Sequence, residues 1–103
     1  MHRHGDYKMP GGKLVVADLE LDAGRLARVA VSGDFFLDPD EALDAIDAAL
    51  TGLPAATDAA ALAHAVQAGL PDGTTMFGVS PEAIAIAVRR AVDGMPADES
   101  RPA

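Results

Sequence analysis

The 103-residue sequence has no cysteine and no tryptophan. Without cysteine there are no disulfides, no thiol catalysis, no iron–sulfur ligation and no cysteine zinc site. Aromatic side chains are scarce and amount to Tyr7, Phe35, Phe36 and Phe77. Cations are scarce too: eight Lys and Arg face 16 Asp and Glu, for a net charge of −8. That balance argues against non-specific nucleic-acid binding, because neutralising phosphates takes a Lys/Arg-rich surface. Long apolar runs are missing. The longest stretch free of Asp, Glu, Lys and Arg covers 13 residues, Ala59 to Pro71, well short of the ~20 needed to span a bilayer. The charged N-terminus is not followed by the apolar segment of a signal peptide. The expectation is a cytoplasmic protein with neither a membrane nor a nucleic-acid partner.

What is present fits one compact domain. Apolar residues make up 50% and charged residues 23%, a globular rather than a disordered composition. The expected domain covers residues 1–94, and the polar, proline-containing residues 95–103 read as a flexible tail. Charge is unevenly distributed. Residues 1–28 hold five of the eight cations and only four acids, so that segment is +1 and the rest is −9. An anionic ligand is therefore better served by the N-terminal third.

Residues 1–12 carry no periodic apolar pattern and end in the turn signal Pro10-Gly11-Gly12. From Lys13 to Leu21 apolar residues alternate, with Val15, Ala17, Leu19 and Leu21 on one face, which predicts a half-buried strand. Asp22-Ala23-Gly24 supplies a turn into a second strand, Arg25 to about Ser32, with Ala27, Val29 and Val31 sharing its buried face. Asp38 reads as an N-cap with Pro39 at the first helical position, opening an amphipathic helix to about Thr51 that Gly52 and Pro54 close. A second helix is expected from Thr57 or Asp58 to near Gly69. A short strand follows around Thr75–Phe77. A third helix is capped by Ser80-Pro81-Glu82, striped by Ile84, Val88 and Ala91, and stopped by Gly94. The fold class is α+β: a small antiparallel sheet, made of an N-terminal hairpin and a short third strand, packed against about three helices.

Several chemical readings fail on the residues. His2-x-His4 lacks a third metal ligand, and His64 stands alone in an alanine-rich helix. The acidic run Asp34–Asp47 is no calcium loop, since residue 42 is alanine and Leu43 occupies the turn-glycine position. Gly12-Lys13 is no nucleotide phosphate loop, since Tyr7 and Leu14 replace the required glycine and hydroxyl residue.

Two features survive. Tyr7–Leu14 sets Lys8 and Lys13 on either side of Pro10-Gly11-Gly12, where permissive backbone and two cations coincide. Ser32–Leu37 holds two adjacent aromatics. Phe35 continues the buried face of the second strand, and Phe36 points the other way, as a second-layer core residue or an interface anchor.

Taken in order, Lys8-x-Pro10-Gly11-Gly12-Lys13-Leu14, Gly33-Asp34-Phe35-Phe36, the helix ending Leu50-x-Gly52-Leu53, and Gly78-Val79-Ser80-Pro81-Glu82-x-Ile84 resemble the C-terminal accessory domain of lipoate–protein ligases over roughly residues 7–92. In that family the module is fused behind a large catalytic domain or, in some archaea, made as a separate small subunit. This chain resembles the separate form. The resemblance implies a fold related to iron–sulfur scaffold and sulfur-acceptor modules. It further implies an accessory subunit, non-catalytic alone and binding no cofactor by itself. Such a subunit works with a large catalytic subunit, ATP, magnesium and lipoate to form lipoyl-AMP. The lipoyl group then passes to a lysine on a 2-oxoacid dehydrogenase acyltransferase or on glycine-cleavage H protein. The family's main adenylate-binding residues and catalytic lysine lie in the large domain, so no catalytic residue is assigned here. Lys8, Gly11, Gly12 and Lys13 are the candidates for proximity to the adenylate, and Pro10, Asp34 and Phe36 for the partner interface. The competing reading is a non-enzymatic binding or adaptor module on the same fold.

Overall fold

A computed structural model of the chain describes residues 1–94; the expected tail, 95–103, lies outside the described residues. Three strands form an antiparallel sheet in the order β1 (His2–Lys8), β2 (Leu14–Asp22), β3 (Arg25–Gly33). A separate two-stranded antiparallel sheet pairs β4 (Phe36–Asp38) with β5 (Thr75–Phe77). The helices are α1 (Glu41–Leu50), α2 (Ala59–Gly69) and α3 (Pro81–Asp93). The fold is α+β. Helix α3 lies on β1 and β2, α1 lies on β3, and α2 packs against both helices. Between the layers sits a core that includes Val15, Leu19, Leu26, Ile46, Leu62 and Ile84.

The expected hairpin is present. Ala23 and Gly24 both have positive φ, 52° and 76°, the pairing that makes a two-residue turn follow the strand twist. One face differs from expectation. A bulge between Glu20 and Leu21 leaves Ala27 outside the pairing. The extra residue reverses the inside–outside phase, so Leu26 is buried and Ala27 is exposed.

The N-terminal segment is a strand, not the irregular lead-in its composition indicated. Its helix-facing positions are Arg3, Gly5 and Tyr7, which carry no apolar alternation. Gly5 is buried for a steric reason. A Cβ there would lie 2.4 Å from the Ala91 nitrogen and 2.6 Å from the Ala87 oxygen, so glycine and two helix alanines let α3 approach the sheet closely. The Arg90 guanidinium stacks 5.0 Å from the Tyr7 ring centroid and donates to the Asp6 carbonyl at 3.0 Å. The other face of β1 is polar. The His2 ring lies 2.9 Å from Glu20 and that of His4 2.7 Å from Asp18.

The start of α1 is also corrected. Asp38 is paired with Thr75 in the small sheet and is not the cap, and Pro39 lies before the helix rather than at its first position. The helix begins two residues later, with Asp40 at the cap position and no side-chain capping bond. The other two helix starts are as expected. Asp58 accepts from Ala61 N–H at 2.8 Å and Ser80 from Ala83 N–H at 3.1 Å, and Pro81 opens α3. Gly94, at φ 68°, ends α3. Arg89 ties α3 to the α1–α2 connection by donating to the Ala55 and Thr57 carbonyls.

Candidate functional site

The β1–β2 connection is a tight turn. Gly12 N–H donates to the Met9 carbonyl at 2.9 Å, with Pro10 and Gly11 between them and Gly11 at φ 69°. Proline followed by a positive-φ glycine is the composition of a type II turn. Met9 N–H in turn donates to the Lys13 carbonyl at 3.2 Å. Lys8 and Lys13 thus flank a backbone-locked turn, and both are exposed. Among the described residues neither lysine has an ion-pair partner. Asp18, the acid nearest to Lys13 in sequence, is engaged by His2 and His4.

Two segments distant in sequence are bonded to the base of this turn. Lys13 N–H donates to the Gly78 carbonyl at 3.4 Å, and Asp34 N–H donates to the Leu14 carbonyl at 3.2 Å. Glycine is required at both contacts. A Cβ on Gly33 would lie 2.1 Å from the Leu14 oxygen, and one on Gly78 would lie 2.6 Å from Lys13 Cγ. Residues 8–14, 33–36 and 77–78 therefore form one continuous end of the molecule. Of the sequence-nominated residues, Lys8, Pro10, Gly11, Gly12, Lys13, Asp34 and Phe36 all belong to it.

Phe36 is not a core residue. It is 74% exposed, and its cross-strand partner Phe77 is 54% exposed. The next pair, Leu37 and Met76, turns inward, with Leu37 buried. Phe35 is half-buried and packs against the core. A hollow of about 230 Å³ separates Phe35 and Phe36 from Asp40 and Leu43 on the α1 side. Sequence reasoning missed Phe77 and the contact of Gly78 with Lys13. The only local signal was an aromatic beside a glycine in a short strand.

A larger groove, about 520 Å³, lies between α2 and α3, lined by alanines with His64, Gln67, Glu82 and Ile86. Among the described residues its lining includes no lysine or arginine for an anionic ligand. His64 is an exposed residue on its wall. Among the described residues no group of three or more His, Asp or Glu is disposed to hold a metal ion, and no helix is long and apolar enough to cross a membrane.

No protein-family model matches the chain, and no curated protein matches it. A solved structure does. The chain is similar, at TM-score 0.70 and 25% identity, to a chain in the structure of an archaeal lipoylation system, a bi-partite lipoate protein ligase and its E2 lipoyl domain from Thermoplasma acidophilum. The similarity covers 86% of this chain and 96% of that one. The resemblance to a lipoate–protein ligase accessory domain therefore extends from the sequence motifs to the fold as a whole.

Proposed function

We propose that this chain is the accessory subunit of a two-subunit, cytoplasmic lipoate–protein ligase. With a large catalytic subunit it would support the ATP- and magnesium-dependent conversion of lipoate to lipoyl-AMP. The lipoyl group would then pass to a lysine of an acceptor domain such as a 2-oxoacid dehydrogenase acyltransferase or glycine-cleavage H protein. The observation that carries this reading is the similarity over nearly the whole of both chains to a component of a bipartite lipoylation system. The motifs Lys8–Leu14, Gly33–Phe36 and Gly78 also converge on one end of the fold.

The chemistry asks for cations rather than a nucleophile from this chain. In adenylation the lipoate carboxylate oxygen attacks the α-phosphorus of ATP and the bond to pyrophosphate breaks. Negative charge accumulates on the transferring phosphate and the leaving group, and positioned donors offset it best where water is excluded. Lys8 and Lys13 have no ion-pair partner among the described residues, are exposed and are mounted on a stiff turn. Closing that turn over the large subunit's nucleotide would deliver two ammonium groups to this charge. Gly11, with open space where a side chain would stand, leaves the tip of the turn open to close approach, while Gly12 is packed against Met9. Magnesium and the nucleotide cradle belong to the large subunit.

The test is lipoate-dependent pyrophosphate release. The isolated chain releases none, and addition of the large subunit restores it. Lys8→Ala or Lys13→Ala removes a charge-assisted contact of about 1.5–3 kcal/mol, a loss of roughly 10- to 150-fold, with the melting temperature unchanged. Full activity of both variants overturns the role of the lysines. Robust release by the isolated chain, or none by the pair, overturns the accessory-subunit reading.

A further inference from the structure

The exposed large apolar side chains of the described residues are not scattered. They are Met1 at the chain end, and Leu14, Phe36 and Phe77. The last three all lie in the segments that the Lys13–Gly78 and Asp34–Leu14 bonds stitch together. We infer that the outward face of the β4–β5 sheet is the docking surface for the large catalytic subunit, with Phe36 and Phe77 as its paired anchors. The inference rests on the accessory-subunit reading and adds to it the place and chemistry of the contact.

The two rings are register partners on adjacent strands, and a directly opposed aromatic pair of this kind forms one contiguous apolar element. Aromatic anchors of limited flexibility, surrounded by polar groups, are what carry most of the energy of protein interfaces. The pair is held in place on the core side by Leu37 and Met76. At the β5 end it is held by Gly78, whose positive φ of 81° and contact with Lys13 fix the exit of the strand. The rings are therefore presented before any partner arrives.

Charge selects the occupant. Lys8 and Lys13 adjoin the patch without ion-pair partners among the described residues, in a chain that otherwise carries an acidic excess. The complementary surface is an apolar recess with an anionic site on the lysine side, as the large subunit's bound nucleotide would present, and room for Asp38, which shares the outward face with Phe36. A second copy is separated by experiment, since a two-fold contact sets residues away from the axis against different residues of the partner. An anionic lipid surface is disfavoured by the net charge of −8. The occupant is the large subunit, the protein that the similarity to a bi-partite ligase supplies.

The experiment measures binding of the purified chain to its cognate large subunit by calorimetry, with melting temperatures recorded in parallel. Phe36→Ser and Phe77→Ser are each expected to raise Kd at least tenfold, and the double variant at least a hundredfold. All should melt as the parent does, because both rings are solvent-facing. Phe36→Leu/Phe77→Leu keeps apolar surface and recovers part of the affinity. Arg28→Ala, on the helix-free face of the large sheet, binds as the parent does. If the parent chain binds and the double serine variant, folded, binds equally well, the docking surface is wrong while the accessory role stands. If the parent chain forms no complex, both fall. If it instead sediments as a dimer that the double variant breaks, the occupant is a second copy and the assignment is overturned.

Discussion

Gly78 and Lys13 are locked together: the Gly78 carbonyl accepts from Lys13 N–H at 3.4 Å, and a Cβ on Gly78 would lie 2.6 Å from Lys13 Cγ. Gly78→Ala therefore meets two obstacles. At φ 81° the left-handed backbone costs a non-glycine residue about 1–2 kcal/mol, and the new methyl must push the lysine stem aside. The expected outcome is a melting temperature lower by at least ~4 °C, on the scale of ~4–8 °C per kcal/mol for a domain of this size. Pyrophosphate release in the reconstituted pair should fall further than the stability loss accounts for. Thermal melts alongside activity below the transition check both.

Gly5→Ala is expected to be strongly destabilising. Its Cβ would fall 2.4 Å and 2.6 Å from backbone atoms of α3, which cannot rotate away as a side chain can. Overpacking of this kind costs about 1–3 kcal/mol or more, and here the strain falls between β1 and α3. Hydrogen exchange should show protection lost first in residues 2–8 and 87–93. An unchanged melting temperature contradicts the close approach of helix and strand.

Asp47 accepts from the Val31 N–H at 3.0 Å from a half-buried position on α1. Burial pushes its carboxyl above the usual carboxylate value; the Val31 bond opposes this and the nearby Asp44 charge adds to it. A raised native pKa means the contribution to stability is complete when the group is protonated and is lost as pH rises through the native value. Asp47→Asn keeps the acceptor and removes the ionisation. Its melting temperature should match the parent near pH 3 and exceed it at pH 7. Asp47→Ala leaves the Val31 N–H without this partner and should cost about 0.5–1.5 kcal/mol at either pH. A parent more stable than the asparagine variant at pH 7 contradicts the burial argument.

Glu20 titrates in the opposite direction. The His2 hydrogen bond, with help from the charges of His2 and the N-terminus, holds its carboxyl below the usual glutamate value despite slight desolvation. A lowered native pKa stabilises above the unfolded value and ceases to as pH falls through the native one. Side-chain carbon NMR should place the Glu20 midpoint below that of an exposed glutamate, and His2→Ala should raise it. No movement in that variant means the His2–Glu20 contact does not persist in solution.

How much of this was legible in the sequence depended on how local the physics was. The Asp22–Gly24 turn, the Ser80 cap and the Pro10-Gly11 turn each involve neighbours within four residues, and all three formed as read. The β1 strand was not legible, because its inward positions are an arginine, a glycine and a tyrosine whose fitness depends on a helix at the other end of the chain. The α1 start was misplaced because Asp38 has good capping chemistry but is paired with Thr75 across the small sheet. Phe36 could be singled out from composition. Its partner Phe77 could not, since nothing in either segment specifies that the two strands pair. The bulge shifted Leu26 and Ala27 for the same reason, a ladder property with no single-residue signature.

The bond from Arg90 to the Asp6 carbonyl joins residues 84 apart, within extensive packing of the last described helix on the first strand. Such a chain has no early stopping place during synthesis. Until α3 has left the ribosome, β1 and β2 expose the apolar side that α3 will cover. Closure of the core waits for nearly the last described residue. Topologies of this kind fold slowly for their size because distant ends must meet before contacts reward the search. A ribosome-bound chain ending at residue 80 should be open to protease along its whole length, and one extended past residue 94 by a linker should be resistant, with few protected forms between them.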